Sequence, residues 1–414
     1  MRAAVGRISL QTIALAVLLA FGPQALADTV YPGANVLLRD SLHLVKGKRI
    51  GLVCNHSSLL KDGTHLLNAL QEHPDVTVTA VLSPEHGFSG TASAGEHIGD
   101  TTAKSLPVYS LYGNTRKPTP EMLANIDVLV FDIQDLGLRF YTYISTLGLC
   151  MEAAAAHSIP IVVLDRPNPL RGDILQGPVL DLSTKSFVGM YPIPIRYGLT
   201  IGELASMIAG EGWVAGTDSL ALHVVPMDGW VRAMWYEQTN LKWVPPSPNI
   251  PDLETALVYA GTCLIEGTNI SEGRGTAMPF RLIGAPFFDM DDIIQRFKKP
   301  KLEGVLVSLD RFTPIANPGA ASPKHENQEC IGVKIAVTNR DEFNPVVLGL
   351  LLTSAFHEFD AASVRFTSHF DYLLGLPDGK RYVAADHRVY YWLRVWAQDL
   401  AEFSRKRQAY ILYM

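Results

Sequence analysis

Asp127-Val128-Leu129-Val130-Phe131-Asp132 sets four apolar residues in a row between two aspartates. Pro160-Ile161-Val162-Val163-Leu164-Asp165 repeats the pattern. Neither stretch alternates polar with apolar, so a strand built from it must be buried on both faces. Between them, residues 142–157 are Ala-rich and long enough for a helix. Double-sided apolar strands joined by helices make a parallel sheet covered on both faces. Working back, Arg49-Ile50-Gly51-Leu52-Val53-Cys54 and residues 76–82 are two more such strands. Residues 64–72 place Leu66, Leu67 and Leu70 on one helical face. Residues 119–125 predict a short helix, with Thr119 as its cap and Pro120 in its first turn. The fold class is α/β: a Rossmann-like, doubly wound, mostly parallel sheet. No G-x-G-x-x-G follows the first strand, so neither a dinucleotide nor any other cofactor is expected.

Working forward, residues 226–276 change texture, with Trp230, Trp235, Trp243 and the run Pro245-Pro246-Ser247-Pro248-Asn249-Ile250-Pro251. A helix over 253–264 follows. Strands near 304–309 and 332–338, an apolar helix near 346–357 and a terminal helix near 390–407 form a smaller C-terminal α/β domain. A chain of 414 residues favours two domains, placed at 28–280 and 281–414. Hydrophobic residues at 48% and charged residues at 18% exclude a disordered chain, a collagen-like repeat and a coiled coil. A net charge of −6 offers no basic surface for nucleic acid. Arg2 and Arg7 precede an apolar stretch over 8–21, then come the breaker Gly22-Pro23 and the small-x-small tripeptide Ala25-Leu26-Ala27. That is the pattern of a cleavable secretory signal over residues 1–27. No later apolar run is long enough to span a bilayer, so a periplasmic protein without membrane insertion is expected. Cys54, Cys150, Cys263 and Cys330 form no C-x-x-C pair. Cys54 and Cys150 sit in apolar segments and are expected as buried thiols.

Ligands of parallel α/β sheets bind outside the carboxyl ends of the strands. Here those ends are polar: Asn55-His56-Ser57, then Ser83-Pro84-Glu85-His86-Gly87-Phe88, then Asp132-Ile133-Gln134-Asp135 with Arg139, Tyr141 and Tyr143, then Asp165-Arg166-Pro167-Asn168-Pro169. Four such loops in succession predict one shared rim. A fifth cluster, Glu266-Gly267-Thr268-Asn269-Ile270-Ser271-Glu272-Gly273-Arg274-Gly275-Thr276, combines glycines with carboxylates, Asn and Arg. Carboxylates among Arg, Asn, His and aromatics suit carbohydrate chemistry. Glycoside hydrolysis needs an acid and a second group to manage the oxocarbenium charge. Glu85, next to Pro84, Phe88 and an apolar strand, is placed to be desolvated and so to hold its proton. Metal hydrolysis is the alternative, drawing on His56, His86, His97, Asp132 and Asp135, but no H-E-x-x-H or H-x-H is present and no metal is expected. A serine hydrolase lacks its G-x-S-x-G. A periplasmic sugar-binding protein is the non-enzymatic alternative.

Five motifs in order, Ser83-Pro84-Glu85-His86-Gly87-Phe88, Phe131-Asp132-Ile133-Gln134-Asp135, Asp165-Arg166-Pro167-Asn168-Pro169, Pro246-Ser247-Pro248-Asn249-Ile250-Pro251 and the 266–276 cluster, resemble the bacterial exo-β-N-acetylmuramidase family over nearly the whole chain after residue 33. The resemblance implies a Rossmann-like catalytic domain and a smaller C-terminal domain. It implies release of terminal β-linked N-acetylmuramic acid from peptidoglycan fragments, and Glu85 of the Glu-His-Gly motif as the catalytic acid. The second group is open among Asp132, Asp135, Glu266 and Glu272, and a 2-acetamido sugar can supply its own nucleophile. We place Asp132 and Glu272 with Glu85 in the catalytic set. The expected sugar contacts are Asn55, His56, His86, Gln134, Asp135, Arg139, Tyr141, Asp165, Arg166, Asn168, Asn249, Glu266, Asn269 and Arg274. N-acetylmuramic acid carries a lactyl carboxylate, and an Arg fork holds a carboxylate well. Arg139, Arg166, Arg171 and Arg274 are the candidates, Arg274 first.

Overall fold

The computed structural model describes residues 29–93, 95–96, 99–103, 106–291, 302–383 and 389–414. The signal-like segment 1–27 and His97 lie outside the described residues. In chain order the main elements begin with α1 (Gly33–Asp40), β1 (Arg49–Cys54), α2 (Leu66–Glu72), β2 (Thr77–Ser83), β3 (Thr101–Ala103) and β4 (Leu106–Ser110). Then come α3 (Pro120–Leu123), β5 (Val128–Asp132), α4 (Tyr143–Ala156), β6 (Ile161–Leu164), β7 (Gln176–Val179), β8 (Pro194–Arg196), α5 (Ile201–Gly210) and β9 (Leu222–Val225). The C-terminal part holds α6 (Leu253–Thr262), β10 (Leu282–Ala285), β11 (Val305–Phe312), β12 (Cys330–Val337), α7 (Pro345–Phe359), α8 (Ser368–Leu374) and α9 (Val389–Lys406).

The main sheet runs β3-β4-β2-β1-β5-β6-β9, and only the β3–β4 pair is antiparallel. With the β3 edge set aside, the six parallel strands, numbered in chain order, follow the doubly wound order 3-2-1-4-5-6. The double-sided reading of β5 and β6 is borne out residue by residue. Val128 and Val130 of β5, with Val162 and Leu164 of β6, pack with Leu37 of α1 and Leu67 of α2 on one face. Leu129 and Phe131, with Ile161 and Val163, pack with Ile144 and Leu147 of α4 and Leu204 of α5 on the other. Thr119 caps α3 by accepting the Met122 N–H, as its position predicts. All four cysteines are free and buried.

The smaller unit is an antiparallel sheet, β10-β12-β11, with α6 packed between β12 and α7, while α9 packs against β7. Helices α6 and α7 cross at two glycines. A Cβ on Gly261 would lie 1.7 Å from the Pro345 carbonyl oxygen, and one on Gly349 would lie 2.2 Å from the Gly261 carbonyl oxygen. Only Gly at both positions permits this contact. The apolar cluster that starts at Phe131 runs on without a break through Phe288, Val346 and Phe356, so the two units share a core. The end of the chain returns to the main sheet. The Tyr413 hydroxyl donates to Asp165 just beyond β6 at 2.5 Å and accepts the Met227 N–H at 2.8 Å.

Candidate active site

A cavity of about 830 Å³ opens between the carboxyl edge of the main sheet and the C-terminal unit. Glu85 enters it from the loop after β2. Pro84 ends the strand, and His86 (φ 68°) and Gly87 (φ 71°) then both take the left-handed conformation that turns the chain sharply. For a non-Gly residue that geometry costs about 1–2 kcal/mol. Burial of the His86 ring and its Nδ1–H bond to the Ala92 carbonyl, 2.7 Å, hold it there. Burial pushes the His86 imidazole below its ordinary value, so at neutral pH Nδ1 carries the proton and Nε2 is left as an acceptor. Gly90 makes room for His56. A Cβ on Gly90 would lie 1.9 Å from the His56 ring, whose Nε2–H donates to the Pro245 carbonyl at 2.8 Å.

Glu85 is half-buried rather than enclosed by apolar groups. Its Oε2 accepts from the Thr142 hydroxyl at 2.6 Å and its Oε1 from the Gly95 N–H at 3.2 Å. Tyr112, following β4, hydrogen-bonds to it as well. Burial first, then the Glu85 charge and this bond, push the Tyr112 phenol well up. The apolar setting expected for Glu85 is thus replaced by donors that fix both of its oxygens.

The opposite wall carries Glu266, Glu272 and Arg274, with Lys324 and His369. Arg274 pairs with Glu266 at 2.9 Å and Glu272 at 3.3 Å, and Lys324 pairs with Glu272 at 3.0 Å. Lys324 also donates to the carbonyls of Ile265, Glu266 and Ile270. Burial alone would raise the Glu272 carboxyl, but Lys324 and Arg274 outweigh it and hold the group below its ordinary value. Glu272 is therefore a fixed negative charge at neutral pH. Tyr141 lies between the walls, with its hydroxyl buried and its ring edge-on to Tyr143, 4.9 Å between centroids.

Of the expected residues, Glu85, His86, Tyr141, Glu266, Glu272 and Arg274 line the cavity. The others do not, and each has a structural occupation. Asp132 is fully buried and holds Arg166 by two bonds, 2.6 Å and 2.8 Å, so neither reaches the cavity. Asp165 accepts from Tyr413, Thr200 and the backbone of Arg166 and Gly202. Asn168 joins the Leu199 carbonyl to the Leu170 N–H, and Gln134 donates to the carbonyls of Asp135 and Pro167. Asp135 accepts from Gly137 and the Tyr197 hydroxyl. Arg139 donates to four backbone carbonyls, those of Pro178, Ile193, Leu373 and Leu374. It thereby ties the loop after β5 to the end of α8, and burial pushes it down to about 9. Asn55 donates to the Tyr143 hydroxyl, which donates to the Pro246 carbonyl. Asn249 donates to the Gly319 carbonyl, and Asn269 bonds to Ser363 and Arg365. Arg171 pairs with Asp173 and Asp341 outside the cavity.

Sequence reasoning missed Tyr112, Arg116, Thr142, Phe187, Lys324 and His369, all on the cavity wall. Lys324 and His325 follow Ser322-Pro323 in the same polar-beside-Pro texture that marked the other loops, so that signal was available. Among the described residues no group of three or more His, Cys, Asp or Glu is placed to hold a metal ion.

Comparison with known proteins accords with this geometry. The family model described as exo-beta-N-acetylmuramidase NamZ, N-terminal, matches residues 50–254, and its C-terminal counterpart matches 257–413. A curated relative, the peptidoglycan beta-N-acetylmuramidase NamZ of Bacillus subtilis (strain 168), is 43% identical over 388 residues, 93% of this chain and 91% of the relative. Two DUF1343 family proteins of Bacteroides fragilis NCTC 9343 have crystal structures with the same fold. One is 33% identical with a TM-score of 0.84, covering 93% of this chain and 99% of that one. The other is 32% identical with a TM-score of 0.75, covering 94% and 99%. The chain belongs to the exo-β-N-acetylmuramidase NamZ family.

Proposed function

We propose that this protein is an exo-acting glycosidase that releases terminal β-linked N-acetylmuramic acid from peptidoglycan fragments during cell-wall turnover. The observation that carries the mechanism is Glu85, set on a strained turn at the cavity wall with both oxygens oriented by Thr142 and Gly95. Glu85 delivers a proton to the leaving glycosidic oxygen as the bond breaks, then takes one from water as the sugar is released. Glu272, held ionised by Lys324 and Arg274, is the second carboxylate of the cavity, on the wall opposite Glu85. The 2-acetamido group of the sugar remains the internal nucleophile available to this site, with Tyr141 and His86 Nε2 as hydrogen-bonding groups to position it. A pure sugar-binding protein needs no carboxyl group held in this way.

Export is part of the proposal. It is supported by the Arg2/Arg7, apolar and Ala25-Leu26-Ala27 pattern over residues 1–27, and it places the enzyme in the periplasm beside its polymer. The test incubates the protein with a chromogenic β-N-acetylmuraminide and the matching glucosaminide. Release from the muraminide supports the proposal. Release from neither, by folded protein, refutes it.

A further inference from the structure

The sequence offered four arginines for the lactyl carboxylate of N-acetylmuramic acid, and the structure disposes of all four. Arg139, Arg166 and Arg171 lie outside the cavity, and Arg274 is neutralised by Glu266 and Glu272. Lys324 is likewise spent on Glu272 and three carbonyls. The other basic groups on the wall, His86 and His369, are pushed down by burial and are neutral at pH 7. One cation remains. Arg116, in the loop after β4, lines the cavity and has no ion pair or hydrogen bond among the described residues. Its guanidinium lies over the Phe187 ring, 4.3 Å from the centroid. Phe187 in turn packs against Tyr112 at 6.2 Å, and Tyr112 bonds to Glu85.

We infer that Arg116 is the specificity residue that reads the lactyl carboxylate. An aromatic face orients a guanidinium without neutralising it, leaving the fork free for a bidentate anion. The order Glu85, Tyr112, Phe187, Arg116 puts that fork in the same cavity as the acid, with two aromatic rings between them. The substrate has the same order. Glu85 serves the oxygen on C1, and the carboxylate hangs from the oxygen on C3 of the same ring. An acidic protein facing an anionic sugar needs such a local cation, because its overall field does not attract the ligand. This inference rests on the muramidase proposal.

The experiment compares wild type, Arg116→Met and Arg116→Lys on a chromogenic β-N-acetylmuraminide with its lactyl acid free and on the lactyl methyl ester. It also measures binding of free N-acetylmuramic acid by calorimetry. Wild type is expected to prefer the acid, and Arg116→Met to lose about ten- to hundredfold in kcat/KM on it, mainly through KM, so that the preference disappears. Arg116→Lys should recover part of the loss. The affinity for free N-acetylmuramic acid should fall by the same factor. Equal use of acid and ester by wild type, or an unchanged preference in Arg116→Met, overturns the inference and leaves the muramidase proposal standing. A wild type that turns over neither substrate overturns the muramidase proposal instead. Calorimetry then still decides Arg116: weaker binding in Arg116→Met supports it, and equal binding overturns it.

Discussion

Replacing Asp132 by Asn separates a catalytic carboxylate from a structural one. The side chain keeps its shape and loses its charge. Arg166, 4% exposed, then has one amide oxygen and the Leu59 carbonyl at 3.0 Å where it had a bidentate carboxylate. Removing one partner of a buried ion pair costs about 3–5 kcal/mol, because the other charge stays buried. Against a total stability of roughly 5–15 kcal/mol, that is a fifth or more of the margin. For a chain of 414 residues, at about 2.1 cal/mol/K of unfolding entropy per residue, it corresponds to a fall in Tm of roughly 3–6 °C. The double variant Asp132→Leu/Arg166→Met removes both charges and should recover much of the loss, so the two substitutions are strongly non-additive. Differential scanning calorimetry reads the melts, and turnover at 20 °C is scaled to the folded fraction. Activity per folded molecule should survive, since neither residue reaches the cavity. An Asp132→Asn protein that melts like wild type and yet loses turnover by the hundredfold or more typical of a lost acid or base would refute the structural assignment.

Glu85→Gln should lower kcat by about 10²–10⁴-fold with an unchanged melt; a folded variant keeping more than about a tenth of wild-type rate removes Glu85 from the acid role. Lys324→Met takes away a cation that holds the Glu272 carboxyl down, so the acid limb of the kcat/KM–pH profile should move to higher pH; an unmoved limb would mean that Glu272 plays no part in turnover. Asp165 is raised by burial from 3.8 to about 7, so the folded state binds its proton more tightly than the unfolded chain does. Its stabilising contribution is complete below about pH 4 and is lost as pH rises to about 7, a change of about 4 kcal/mol. Asp165→Asn should therefore show a smaller drop in urea midpoint between pH 4.5 and 7.5 than wild type, and equal drops would refute the assignment.

The sheet was legible because β5 and β6 divide their apolar residues between two cores, and a strand without polar alternation has no other stable place. β4 and β9 were not, since each keeps partly exposed residues and so lacks the double-sided pattern. The position of Glu85 was legible for a local reason: Pro-Glu-His-Gly after a strand forces a turn that presents a side chain. The rest of the rim misled. Asp132, Asp135, Asp165, Arg166 and Asn168 follow strands, as ligand-binding residues do, but they bond to each other and to the backbone around β5 and β6. A sequence shows which residues follow a strand and not which way they face once their hydrogen bonds are made. Arg116 escaped notice for the converse reason. It sits in an unremarkable loop, and its significance lies in having no acidic partner among the described residues, which only packing reveals.

The bond between Tyr413 and Asp165 spans 248 residues of chain. Ribosomes add about 5–20 residues per second. Asp165 is therefore made roughly 12–50 s before the hydroxyl that closes over it. Until then β6, next to the β9 edge of the main sheet, ends in a carboxyl group that lacks this partner. Synthesis from the N-terminus thus cannot finish the first-made half of this protein first. The carboxyl group at the end of β6 reaches its final hydrogen-bond set only once residue 413 is in place.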